Sequence, residues 1–129
     1  MGWDFQSDRP IYAQLIEQIQ LRVVTGVYTS GSKLPSVRDM AAEAAVNPNT
    51  MQKALAQLEA EGLLYSQRTS GRFVTEDTKK IMDVKTTLAR DLVREFIQRM
   101  QNLGYGKQQV IKLIEDKEMM EQNAANPTV

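Results

Sequence analysis

The sequence predicts a mainly α-helical chain with one small β-hairpin, in the order three short helices, a hairpin, then two further helices. Two observations carry this. Apolar residues recur at three- and four-residue steps in separate blocks before residue 62 and again beyond residue 80. Between those regions, "LLYSQRTSGRFVT" drops the helical period and places aromatic and β-branched residues on either side of a Gly-containing turn.

The first helix opens at Pro10, because a proline lacks the N–H that a first turn leaves unpaired anyway. Tyr12, Leu15, Ile16, Ile19 and Val23 follow at helical spacing, and Gly26 stops it. "SGSKLPS" reads as a loop by composition. Ser36 then suits an N-cap, with Asp39 three residues on as capping-box partner. Val37, Met40, Ala41 and Ala44 give that short second helix one apolar side.

A tight turn at Ala45–Asn47 leads into the third helix, residues 48–61. Asn47 caps it, Pro48 starts it and Gly62 ends it. Met51, Leu55 and Leu58 form its inner stripe, with Ala54 beside them. Asn49 and Lys53 point the other way, Thr50, Gln52 and Gln57 lie on the flanks, and Ala56 and Ala60 keep the outer face low. The hairpin strands are "LLYSQ" and "RFVT", joined by "RTSG" with Gly71 able to take positive φ. Three helices followed by a hairpin with a basic tip is the order of a winged helix-turn-helix, placed here at residues 1–77.

From Thr78 the stripe Ile81, Val84, Leu88, Leu92, Phe96, Ile97, Met100 and Leu103 predicts one long amphipathic helix of about 26 residues, roughly 39 Å. "GYG" breaks it, and Val110, Ile111, Leu113 and Ile114 mark a shorter helix beyond. Two helices cannot hide both apolar faces alone. Residues 78–121 are therefore expected to dimerise through Leu88, Leu92, Phe96, Met100 and Leu103. Residues 122–129 lose the pattern and are expected to be a disordered tail.

Composition narrows the chemistry. The chain has no cysteine and no histidine. That removes thiolate and imidazole metal sites and His-based acid–base catalysis, so neither a metal nor a cofactor is expected. Asp39, Glu43, Glu59 and Glu61 are the only dense carboxylates, and they lie on helix faces without a Gly-rich or metal-binding loop, so an enzyme is not expected. No segment resembles a signal peptide or a membrane span, which points to the cytoplasm. Net charge is zero, with 7 basic and 9 acidic side chains in residues 1–77. Binding to a polyanion then depends on where the cations sit and not on bulk charge.

The exposed amides and hydroxyls that open the third helix suggest the polyanion. An α-helix fits the DNA major groove, where the first turn of the second helix of a helix-turn-helix meets base edges. Asn and Gln pair with adenine, Thr serves base or phosphate, and free first-turn N–H groups favour a phosphate. Asn49, Thr50, Gln52 and Lys53 are thus candidate DNA contacts, together with Ser36 and Arg38 at the start of the preceding helix. The hairpin tip adds Arg68, Thr69, Ser70, Gly71 and Arg72.

At these residues a resemblance becomes specific. "PIYAQLIEQIQLRVVTGVYTSGSKLPSVRDMAAEAAVNPNTMQKALAQLEAEGLL" resembles the GntR family of bacterial transcription regulators, and "VNPNT" with the following Lys-Ala resembles its YtrA subfamily. The likeness is close over residues 5–75 and looser over 76–121. It implies a winged helix that binds an inverted-repeat operator in double-stranded DNA as a homodimer, most often as a repressor. The family's DNA-contacting positions match Arg38, Asn49, Thr50, Lys53 and the wing. Many relatives read Arg-x-Gly-x-Gly-Thr-Phe-Val in the wing, whereas this chain reads "RTSGRFV", with Ser70 and Arg72 as departures. Larger relatives add an effector-sensing domain for which the residues from 78 on are too few, so an effector of unidentified chemistry is left open. The competing expectation is a winged helix used as a protein-interaction module, since fold does not set function and the chain is electrically neutral overall.

Overall fold

The computed structural model describes the backbone of residues 1–124 and the side chains of residues 1–116. Its elements are α1 (Ile11–Val24), α2 (Val37–Ala44), α3 (Pro48–Ala60), β1 (Leu64–Gln67), β2 (Gly71–Val74), α4 (Thr78–Asn102) and α5 (Lys107–Ala124). The chain forms two compact units, Met1–Leu88 and a second from Ala89 onward. The mainly helical class with one antiparallel hairpin is as the sequence predicts. Pro10 stands one step outside its expected place, as the N-cap of α1. Of the tail expected at residues 122–129, residues 122–124 end α5 and residues 125–129 lie outside the described residues.

The core of the first unit is built on α3. Met51, Ala54, Leu55 and Leu58 are buried. They meet Leu15, Ile19 and Val23 of α1, Met40, Ala41 and Ala44 of α2, and Leu64 and Val74 of the hairpin in one cluster. Each fully buried Leu, Ile or Met contributes about 1.5–3 kcal/mol of apolar burial. Ile81 and Val84, at the start of α4, also pack on this cluster, so the first turns of that helix belong to the N-terminal unit.

The "SGSKLPS" segment is more ordered than its composition suggests. Gly31 N–H donates to the Val74 carbonyl at 2.9 Å, Val74 N–H to Ser32 at 2.9 Å and Leu34 N–H to Arg72 at 2.9 Å. Lys33 forms an isolated antiparallel bridge to Phe73, so residues 31–34 run along the open edge of the two-stranded sheet. Leu34, the only large apolar residue in the segment, is buried and anchors it.

The N-terminal arm is clasped by α1. Arg22 is buried, with Nη2 donating to the Met1 and Gly2 carbonyls at 3.2 and 3.0 Å and its guanidinium 3.6 Å from the Trp3 ring centroid. Backbone carbonyls and an aromatic face thus satisfy a buried cation without a carboxylate. Gln14 is buried too and exchanges hydrogen bonds with both the N–H and the carbonyl of Gln6.

The turn between α2 and α3 sets their crossing. Val46 N–H reaches the Ala41 carbonyl at 3.0 Å and Ala45 N–H the Ala42 carbonyl at 3.2 Å, a Schellman closure. It requires a left-handed residue, and Ala45 takes that role at φ 57 and ψ 46. A left-handed alanine costs about 1–2 kcal/mol, more than the roughly 0.5–1 kcal/mol that glycine loses in chain entropy. Ala45→Gly is therefore expected to raise stability by about 0.5 kcal/mol, whereas β-branched Ala45→Val lowers it. Urea midpoints at constant m-value check this, and a lower midpoint for Ala45→Gly would contradict the left-handed assignment.

Candidate nucleic-acid interface

Both helix starts facing the wing are capped as the sequence predicts. Ser36 Oγ accepts the Asp39 N–H at 3.0 Å, and Asn47 Oδ1 accepts the Asn49 N–H at 2.7 Å, with Pro48 at the first helical position. Asn47 is thus occupied as a cap, while the side chains of Asn49, Gln52 and Lys53 stand exposed and Thr50 is half-buried. The one-sided burial of Met51, Ala54, Leu55 and Leu58 turns these polar residues outward.

The wing folds over the adjacent flank of α3. Leu64 pairs with Val74, Tyr65 with Phe73, Ser66 with Arg72 and Gln67 with Gly71. The Tyr65 and Phe73 rings stack at 5.7 Å. The turn closes with Ser70 N–H on the Gln67 carbonyl at 2.9 Å. Gly71 adopts φ +111, a backbone conformation that favours glycine; an added Cβ would lie 3.0 Å from Lys33 Cε, the end of a flexible side chain.

Wing and helices enclose an open cleft of about 690 Å³ lined by Ser36, Gln52, Arg68, Thr69, Ser70, Gly71 and Arg72 among the sequence-predicted residues. Arg38, Asn49, Thr50 and Lys53 do not line it. Lys33, Pro35 and Ser66 do, and sequence reasoning missed them. The loop composition around Lys33 hid this edge pairing. The lone apolar Leu34 was the available signal.

On α4, Lys79 pairs with Asp83, Arg94 with Asp91 and Arg99 with Glu95, while Lys80, Lys85 and Arg90 have no ion pair among the described residues. Lys33, Arg38, Lys53 and Arg68 have no ion pair among the described residues. Arg72 differs from these four. Its Nε donates to Glu59 Oε1 at 3.0 Å and its Nη1 to Gln52 Oε1 at 3.3 Å. Ser66 Oγ donates to the same Glu59 oxygen at 2.8 Å. Arg72 therefore braces the wing against α3 and is not presented as a free cation.

The Ser66 hydroxyl chiefly holds the Glu59 carboxyl below the usual glutamate range; burial opposes it, and the Arg72 guanidinium adds to the lowering. A carboxylate whose pKa is lowered on folding stabilises the fold above its unfolded value, about 4.3, and the gain disappears as pH falls through the lowered value. Glu59 is partly exposed, so the gain is modest, about 0.5–1 kcal/mol. Glu59→Gln is thus expected to be less stable than the parent at pH 7. The difference should shrink below pH 4, as read by urea titrations across pH. A gap that persists unchanged at pH 2–3 would contradict the assignment.

Among the described residues no helix is long and apolar enough to cross a membrane, and no three acidic side chains gather as a metal-ligand set.

Comparison with known proteins places this geometry. The family described as "Bacterial regulatory proteins, gntR family" matches residues 11–74. The HTH-type transcriptional repressor YtrA of Bacillus subtilis is 36% identical over 95 residues, 73% of each chain. A GntR family transcriptional regulator from Listeria monocytogenes shares the structure at a TM-score of 0.79 and 38% identity, over 87% of this chain and 98% of that one. A DNA-binding domain of AraR in complex with operator ORX1 aligns at a TM-score of 0.52 and 29% identity, over 58% of this chain and 99% of that one. The chain belongs to the gntR family of bacterial regulatory proteins, among its YtrA-like members.

Proposed function

We propose that this sequence-specific DNA-binding regulator is a cytoplasmic repressor, not an enzyme, that occupies an inverted-repeat operator as a homodimer without metal or cofactor. One observation carries the reading. The exposed, polar first turn of α3 is flanked by Lys33, Arg38, Lys53 and Arg68, cations with no ion pair among the described residues. That distribution supplies local positive potential in a chain of zero net charge. The repressor assignment follows the printed function of YtrA.

In this reading α3 lies in the major groove, Asn49 and Thr50 face base edges, and Ser36 and the tip residues Thr69, Ser70 and Gly71 approach the backbone. Arg38 suits guanine O6 and N7, since a guanidinium pairs with both at once, whereas Lys53 and Arg68 act as phosphate-binding cations. Arg38→Ala is expected to cost about 1–3 kcal/mol and relax one symmetric base pair of each half-site. Lys53→Ala weakens all duplexes alike and lowers the salt slope by about one. Titrations on a selected duplex and a scrambled one at several salt concentrations check both. An unchanged base preference for Arg38→Ala makes it a phosphate clamp, and salt-insensitive binding favours the protein-interaction module instead.

Leu92, Phe96 and Leu103 are 68%, 44% and 72% exposed, with Leu88 and Met100 half-buried beside them in sequence. Such side chains along α4 and, for Leu103, in the turn that follows it suit an isologous contact with a second copy. Leu92→Asp should convert a dimer to a monomer in sedimentation at micromolar concentration, by burying an unpaired charge. A parent chain already monomeric there would refute the dimer.

A further inference from the structure

A helix in the major groove and a hairpin tip in the groove beside it have a DNA strand between them, because the sugar-phosphate backbone is what separates neighbouring grooves. With α3 and the wing so placed, the open cleft between them is where a phosphodiester passes. Its lining includes the cations Lys33, Arg68 and Arg72 and, among the described residues, no carboxylate, in a chain of zero net charge. Arg72 is taken by Glu59 and Gln52. Lys33 and Arg68 have no ion pair among the described residues. Lys33 comes from outside the wing, and the backbone brings it there. Lys33 forms an antiparallel bridge with Phe73, and the Leu34 N–H donates to the Arg72 carbonyl at 2.9 Å. Side chains alternate along an extended edge, so with Leu34 buried, Lys33 turns to the exposed side. Its stem then reaches the wing turn: Cε lies 3.0 Å and Nζ 3.8 Å from the point that a Cβ on Gly71 would occupy. Arg68 belongs to that same turn, which joins Gln67 to Gly71.

We infer, on the DNA-binding reading above, that Lys33 is a phosphate-binding residue of the cleft and fills the place at the DNA backbone that Arg72 gives up as a strut. By sequence Arg72 is the wing's cation beside Arg68. Its side chain is only 17% exposed, its Nε is held by a carboxylate and its Nη1 by an amide, so its charge is spent inside the protein. Lys33 delivers a cation to the same turn from the neighbouring segment. An ammonium is a compact point charge with three donors, which suits a phosphodiester oxygen and is indifferent to the base attached to it. Ser36 lines the cleft with it. Its Oγ accepts the Asp39 N–H, which leaves the hydroxyl proton to donate to the same strand. Lys33 therefore adds affinity and salt dependence to binding and adds no base preference.

The test is a set of salt titrations on a selected duplex and a scrambled one, using the full chain, its Lys33→Gln and Lys33→Arg variants, and a double variant, Glu59→Gln with Arg72→Gln, that removes both charges of the strut. Lysine acetylation of the parent, with and without the selected duplex and read by peptide mass, accompanies them. Lys33 is exposed and the bonds of its segment are made by the backbone, so the glutamine variant keeps the fold. Lys33→Gln is expected to lower the salt slope by about one per bound protomer on both duplexes alike. Lys33→Arg keeps the parent's slope, and so does the double variant. The duplex slows acetylation of Lys33 several-fold but not that of Lys85, which is exposed on α4 and does not line the cleft. Four results overturn the inference: a parent-like slope for Lys33→Gln, a loss confined to the selected duplex, a slope lowered by the double variant, or Lys33 acetylated as fast with DNA as without. Steep salt dependence in the parent together with any of these sinks the role of Lys33 alone. Binding by the parent that is insensitive to salt sinks the DNA-binding reading and this inference with it.

Discussion

The N-terminal unit depends on one fact about α3: it has a single apolar stripe, and three elements compete to cover it. Helices α1 and α2 and strand β1 all pack on it. Met51, Ala54, Leu55 and Leu58 are at most 1% exposed. Because i, i+3, i+4 and i+7 positions share one face, burying those four dictates that Asn49, Gln52, Lys53 and Ala56 look outward. The polar face is thus a consequence of packing before it is a functional device. A core substitution such as Leu55→Ala would act on the outer face as well, by letting the helix roll in a partly collapsed cavity.

A rigid outward face still leaves long side chains free to wander, and the unit treats them differently. Lys53 and Arg68 have no partner among the described residues, which suits cations that meet a phosphate wherever it lies. Gln52 is held, through Arg72, by a carboxylate that also ties down the wing. One charged cluster therefore fixes a tertiary contact and a side-chain orientation together. Its partial burial matters, because a fully exposed ion pair would be too weak to orient anything.

Much of this was legible in the sequence, for identifiable reasons. Helix periodicity, the Ser36 and Asn47 caps and the Gly71 turn are local signals, and all of them appear where local physics puts them. What was not legible depended on contacts distant in sequence. Arg72 looks like any wing-tip cation until Glu59, thirteen residues away, takes its Nε. Lys33 sits in a segment with no period, because a single bridge on a sheet edge leaves no alternation to read. Arg22 falls in the apolar register of Leu15 and Ile19, and what lets a cation sit there is the N-terminal arm, distant in sequence, that covers it. Ala45 is the inverse case: nothing about an alanine announces a left-handed turn, and only the spacing of two helices demands one.

Two-fold symmetry would make the orientation of α3 count twice. In a homodimer on an inverted repeat, a misplacement that weakens each half-site by about 1 kcal/mol weakens the complex by about 2, roughly thirtyfold in affinity. A fold of this size cannot suppress such misplacement with core mass alone, because small domains bury a smaller fraction of their surface. It suppresses it with directional contacts at the points where the helix face could rotate: the Schellman turn at Ala45 behind α3, the Asn47 cap at its start and the Arg72 strut along its flank. Each constrains a different degree of freedom, namely crossing angle, helix phase and side-chain direction. The wing's departure from the family pattern at Arg72 falls on the third of these, the one that core packing does not control.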